Sequence, residues 1–100
     1  MSASPIDQTS ADAARRIVMI CNQRGLHARA AARFVKTAAQ FDAEVSVRKI
    51  GTEVSGRSIM GLMMLAAAPG TVIELVGTGR QAEAAVTALA ELIECKFDEE

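Results

Sequence analysis

The chain has 100 residues, half of them hydrophobic, and a formal net charge of -1. That is one domain with enough apolar material for a core, and no excess charge to draw it to nucleic acid or an anionic membrane. With no Trp or Tyr and only three Phe, the core must be aliphatic.

Residues 1–14 are rich in Ser, Ala, Asp and Thr and read as a loose tail ahead of one domain spanning 15–100, with a short helix over Ala11–Arg15 as the alternative. They lack a basic segment followed by an apolar run, so no signal peptide is expected. The longest apolar stretch, Ile59–Pro69, falls short of the roughly 20 residues that span a bilayer. A cytoplasmic protein is the expectation.

Arg16–Asn22 is β-branched and reads as the first strand, with apolar residues on both alternating sets. Within it, Cys21 reads as a small core residue. Cys95 is far away in sequence, and no Cys-x-x-Cys pair or Cys/His cluster suggests a metal. Nothing requires a Cys21–Cys95 disulfide, and nothing forbids one. Gln23-Arg24-Gly25 ends the strand in a turn.

Ala28–Gln40 is expected to be a helix, with Ala31, Phe34, Val35 and Ala38 on its buried stripe and Arg29, Arg33, Lys36 and Gln40 opposite. Glu44–Ile50 alternates like a half-buried strand, Gly51 turns, and Thr52–Ser55 returns. Ser58 caps a second helix that runs to Leu65 or Ala68, stopped by Pro69-Gly70. Thr71–Val76 is a fourth strand. Thr78-Gly79-Arg80-Gln81 fits a capping box that opens a last helix carrying Ala82, Ala85, Val86, Leu89, Leu92 and Ile93, and Asp98-Glu99-Glu100 is a solvated acidic end. The order βαββαβα predicts an α+β fold, an open-faced sandwich in which three helices cover one face of a four-stranded antiparallel sheet.

His27, the single histidine, directly precedes the first helix. Unpaired backbone N–H groups and the positive end of the helix dipole make such a place an anion site. Arg29 adds paired donors for phosphate oxygens, and a neutral imidazole nitrogen is a nucleophile near neutral pH. A histidine before a helix is also a common cap or surface residue, and position alone does not separate the readings.

The longer string does. Gly25-Leu26-His27-Ala28-Arg29-Ala30-Ala31 followed by Phe34-Val35 resembles the active-site motif of the HPr family, the histidine phosphocarriers of bacterial phosphotransferase systems. Gly56-Arg57-Ser58-Ile59-Met60-Gly61-Leu62-Met63-Met64-Leu65 resembles that family's regulatory-serine helix, and Pro69-Gly70-Thr71 and Gly77 also fit. Phe41-Asp42-Ala43-Glu44-Val45 and the Phe97–Glu100 end resemble its nitrogen-regulatory branch. The family commonly has proline where this chain has Ala30. Alanine keeps the helix and restores one N–H donor, which puts transfer rate and partner preference in question rather than the chemistry.

The resemblance implies that His27 accepts a phosphoryl group from enzyme I charged by phosphoenolpyruvate and donates it to an enzyme IIA protein. It assigns phosphate stabilisation to Arg29 and to the backbone of Ala28, Arg29 and Ala30. Docking falls to Ile59, Met60, Met63 and Arg24, and regulatory phosphorylation by an HPr kinase/phosphorylase to Ser58. A stoichiometric, monomeric carrier without cofactor, in sugar uptake or nitrogen and carbon regulation, is the expectation. The alternative is a regulatory protein-binding module that uses the same surface. An RNA-binding or metal-binding domain of similar element order is disfavoured, because the strands lack aromatics for base stacking and the cysteines are unpaired.

Overall fold

The computed structural model describes residues 13–65 and 67–99. Four strands, β1 (Ala13–Met19), β2 (Glu44–Lys49), β3 (Thr52–Ser55) and β4 (Val72–Thr78), form one antiparallel sheet in the order β1-β4-β2-β3. Helices α1 (Ala28–Ala38), α2 (Ile59–Met64) and α3 (Ala82–Glu94) complete the expected βαββαβα order.

Side chains alternate across a strand, so each strand lends one set to the core. Val18, Val45, Val47, Ile73 and Leu75 are buried with Phe34 of α1, Leu62 of α2 and Ala85, Leu89 and Ile93 of α3. For β1, where both sets are apolar, the buried set is the one containing Val18, and Ile17 and Met19 lie exposed. The outer face carries exposed ion pairs between neighbouring strands, each of small effect on stability. Arg15 reaches Glu74 at 3.3 Å, and Arg48 reaches Glu53 at 3.5 Å.

Several boundaries differ from expectation for local reasons. β1 starts at Ala13 because Ala13 and Ala14 pair with Thr78 and Gly77 of a β4 that runs past Val76. This removes Ala13 and Ala14 from the expected tail and excludes a helix over Ala13–Arg15, while residues 1–12 lie outside the described residues. Alanine's weak strand preference hid the extension. At the other end Cys21 and Asn22 leave the ladder. Cys21 is exposed, and the buried neighbours are Ile20 and Asn22, so the expected core cysteine is corrected. Val35 is only partly buried, and Ala30 takes its place among the buried residues of α1.

Helix α2 begins as expected, with the Ser58 hydroxyl accepting from the Gly61 N–H at 2.9 Å. The capping box before α3 does not form. Thr78 stays in β4, Gln81 occupies the cap position without a side-chain cap bond, and its Oε1 accepts from the Asp42 N–H at 2.7 Å. Gln81 therefore ties α3 to the start of the β2 hairpin instead of capping its own helix.

After α3 the chain makes a left-handed turn. Lys96, Phe97 and Asp98 have φ of 58°, 54° and 58°. For residues other than glycine this costs about 1–2 kcal/mol each. Burial of Phe97, which is fully enclosed, returns only about 1.5–3 kcal/mol. Packing alone does not hold this turn, so polar contacts made by its residues must contribute.

Candidate functional site

The loop into α1 is pinned before it reaches His27. Gly25 has φ of +66°, and a Cβ there would lie 2.4 Å from the Ala67 carbonyl oxygen, so a side chain is excluded twice. The next residue, Leu26, is buried and donates its N–H to the same carbonyl at 2.9 Å. His27 then takes the N-cap position of α1 with an extended backbone.

Both ring nitrogens have partners. Nδ1 accepts from the Ala30 N–H at 3.4 Å, a long bond. Nε2 meets the Glu99 carboxylate. A carboxylate only accepts, so Nε2 carries the proton and Nδ1 keeps its lone pair, aimed at the open first turn of α1. The two side chains are 14% and 20% exposed, enough shielding to strengthen their contact while leaving an approach from solvent.

Glu99 has a second tether. Buried Asn22 donates through Nδ2 to Glu99 Oε1 at 3.1 Å and to the Gly25 carbonyl at 2.8 Å, joining the loop before His27 to the end of the chain. Partial burial pushes the Glu99 carboxyl up, but the hydrogen bonds from His27 and Asn22, together with the positive charge of Arg24, outweigh it and leave the carboxyl below its ordinary value. The expected solvated acidic end is corrected at Glu99; Asp98 is exposed as expected, and Glu100 lies outside the described residues. Phe97 anchors in the core, Asp98 approaches Arg33 at 3.5 Å, and Glu99 completes the histidine site. Of these contacts the shielded one between Glu99 and His27 is the one placed to help hold the turn, since the Arg33–Asp98 pair is exposed.

A carboxyl with a lowered folded pKa stabilises docking above its unfolded value and loses that contribution as pH falls through the folded one. The turn is expected to stay docked above the ordinary value of 4.5 and to loosen on acidification below it. Amide exchange at Asp98 and Glu99 against pH measures this. Protection unchanged in strong acid would contradict it.

Around His27, residues Gln23, Arg24, Arg29, Arg33, Asp98 and Glu99 line a concave surface. Arg29 and Arg24 are exposed on it. The N–H groups of Ala28 and Arg29 lie in the first turn of α1, where no intrahelical partner is available, whereas the Ala30 N–H is engaged by Nδ1. Helix α2 packs against α1 and presents Ile59, Met60, Met63 and Met64, which are 40%, 70%, 41% and 76% exposed, while Leu62 and Leu65 are buried. So the apolar excess in α2 is surface, not core.

The expected residues His27, Arg29 and Arg24 thus share one concavity, and Ser58 with the docking residues lies at and along α2. Glu99 and Asn22 were missed. Their signal was Phe97, a large apolar residue inside an acidic end, which has to pack somewhere and brings its neighbours with it.

The family model described as "PTS HPr component phosphorylation site" matches residues 14–95. The chain is similar to phosphocarrier protein HPr of Neisseria meningitidis serogroup A, 52% identical over 85 residues, which is 85% of this chain and 96% of that protein. It is also similar to phosphocarrier protein NPr of Shewanella violacea, 44% identical over 84 residues, covering 84% of this chain and 92% of that one. Among solved structures it resembles HPr-C-His from Thermoanaerobacter tengcongensis with a TM-score of 0.83 and 44% identity, covering 87% of this chain and 98% of that chain.

Proposed function

Since this chain belongs to the HPr family of phosphotransferase-system phosphocarriers, we propose that it accepts a phosphoryl group on Nδ1 of His27 from enzyme I and passes it to an enzyme IIA protein. The observation that carries this reading is the ring itself, with its lone pair at the first turn of α1 and its proton held by Glu99.

In the proposed step, the Nδ1 lone pair attacks phosphorus as the bond to enzyme I breaks. The ring becomes a phosphoimidazolium, and its positive charge faces the Glu99 carboxylate through Nε2–H. The phosphoryl displaces the long Ala30 contact, which frees that N–H, with those of Ala28 and Arg29, for phosphate oxygens. Phosphoryl transfer passes through a loose transition state, so positioning and charge stabilisation do the protein's share. Ala28 and Arg29 are exposed and only Ala30 is buried, so the phosphate would meet solvent on its outer side, which suits a group that must leave again. A monomer acting in the cytoplasm, in sugar uptake or nitrogen and carbon regulation, suffices for this role.

Incubation with phosphoenolpyruvate and a trace of enzyme I tests the reading. One acid-labile phosphate per chain is expected, and its absence would end the carrier proposal. Replacing the exposed Arg29 by Ala should slow transfer about 10- to 100-fold, the scale of losing one charge-stabilising contact, with unfolding free energy changed by no more than about 0.5 kcal/mol. Unchanged stopped-flow transfer kinetics would remove its role.

The exposed face of α2 is the proposed docking surface for both enzymes, since methionine side chains adapt to differently shaped partners. Ser58 stands at its edge. A phosphate there, added by an HPr kinase/phosphorylase, brings a charge of about -2 beside that apolar patch. Ser58→Asp is expected to weaken enzyme I binding about tenfold, and calorimetry showing equal affinity would discount regulation at this position. The same charge switch would serve a protein-binding module without phosphate flow, which the enzyme I incubation distinguishes.

A further inference from the structure

Two cysteines that are remote in sequence converge at one corner of the fold. The Cys21 thiol is seated on the end of α3, with Sγ 3.4 Å from the Ile93 carbonyl oxygen and 4.0 Å from that of Glu94. Cys95 is the next residue, the C-cap of α3, and peptide geometry puts its Cα about 3 Å from the Glu94 oxygen. The Cys21 sulfur therefore stands no more than about 7 Å from the Cys95 Cα, which puts the two residues in the neighbourhood that a disulfide requires. Both cysteines are free and exposed.

Each backbone is fixed on both sides. Cys21 lies between Ile20 and Asn22, both fully buried, while the Cys95 N–H donates to the Glu91 carbonyl at 2.9 Å and its carbonyl accepts from Asp98 at 3.0 Å. Each cysteine also roots one of the segments that hold His27. Cys21 precedes Asn22, and Cys95 begins the left-handed turn that carries Glu99.

We propose that Cys21 and Cys95 form a reversible intramolecular disulfide, a modification site that ties the loop before His27 to the root of the C-terminal turn. A small-molecule disulfide such as oxidised glutathione is the oxidant. The thiolate of one cysteine attacks it, forming a mixed disulfide and releasing one glutathione thiolate. The second cysteine then attacks the protein sulfur, closing the Cys21–Cys95 bond and releasing the second glutathione, so two thiols of the chain are oxidised and one external disulfide is reduced to two thiols. In a reducing compartment such a bond is transient and reports redox state. Closing it moves Cys21 off the α3 carbonyls and shifts the base of the turn, so the Glu99–His27 contact senses it. This inference does not depend on whether His27 carries phosphate.

The whole chain, equilibrated in glutathione buffers of graded potential and then alkylated, tests it. The expected result is a monomer that loses both thiols together without retaining glutathione. Cys21→Ser and Cys95→Ser should each leave a single glutathione adduct. In NMR spectra of the oxidised protein the His27 ring signals should move, and in Cys95→Ser they should not. Two independent glutathione adducts, a disulfide-linked dimer or two thiols that stay alkylatable would overturn the disulfide. Unmoved ring signals in the closed form would overturn its link to the site.

Discussion

Replacing His27 by Ala is expected to abolish phosphoryl acceptance from enzyme I outright while leaving the chain folded. No other imidazole exists in the sequence, and the lone pair at Nδ1, facing the first turn of α1, is the proposed nucleophile. The structural cost is small. The ring gives α1 one long cap contact, whose loss costs about 1 kcal/mol, and loss of its contact with Glu99 is expected to loosen the C-terminal turn without unfolding the sheet. The ring's other partner, Glu99, keeps its bond from Asn22. Labelling from radioactive phosphoenolpyruvate, with circular dichroism on the same sample, separates the two effects. Acid-labile phosphate persisting on the variant would move the acceptor elsewhere.

Phe97→Ala carries the second large effect, of a different kind. Truncating a buried Phe in a rigid core costs about 3–5 kcal/mol. Phe97 is as buried as Phe34 but belongs to a turn that can release from the body without unfolding it. The left-handed backbone already opposes docking, so losing the ring should undock the turn and cap the global loss below that of Phe34→Ala. The local consequence is larger. Glu99 leaves Nε2, the ring is no longer held with its proton on that nitrogen, and transfer slows by about tenfold or more. Urea unfolding of both variants and nitrogen shifts of the His27 ring check this. Equal global losses, with the tautomer retained in Phe97→Ala, would show the turn to be part of the rigid core.

Most of the architecture was legible because strand alternation, helical stripes, Ser58 and the glycine turns act locally. The placement of His27 and Arg29 at the start of α1 was legible because both belong to one short string at a helix start. What escaped depended on contacts between distant segments. Gln81 looks like a capping-box partner for Thr78, yet its carbonyl oxygen finds the Asp42 N–H across the fold. Ala13 and Ala14 read as tail because their strand character comes from pairing with Gly77 and Thr78. An acidic end reads as solvated until Phe97 is seen to bury and carry Glu99 onto the ring.

The carboxylate that steadies the ring enters the chain 72 positions after the histidine. A nascent polypeptide extended only through β4 has every described strand and the first turn of α1, but it lacks both the core face of α3 and the acidic partner of its imidazole. Translation thus delivers the ring well before the carboxylate that steadies it.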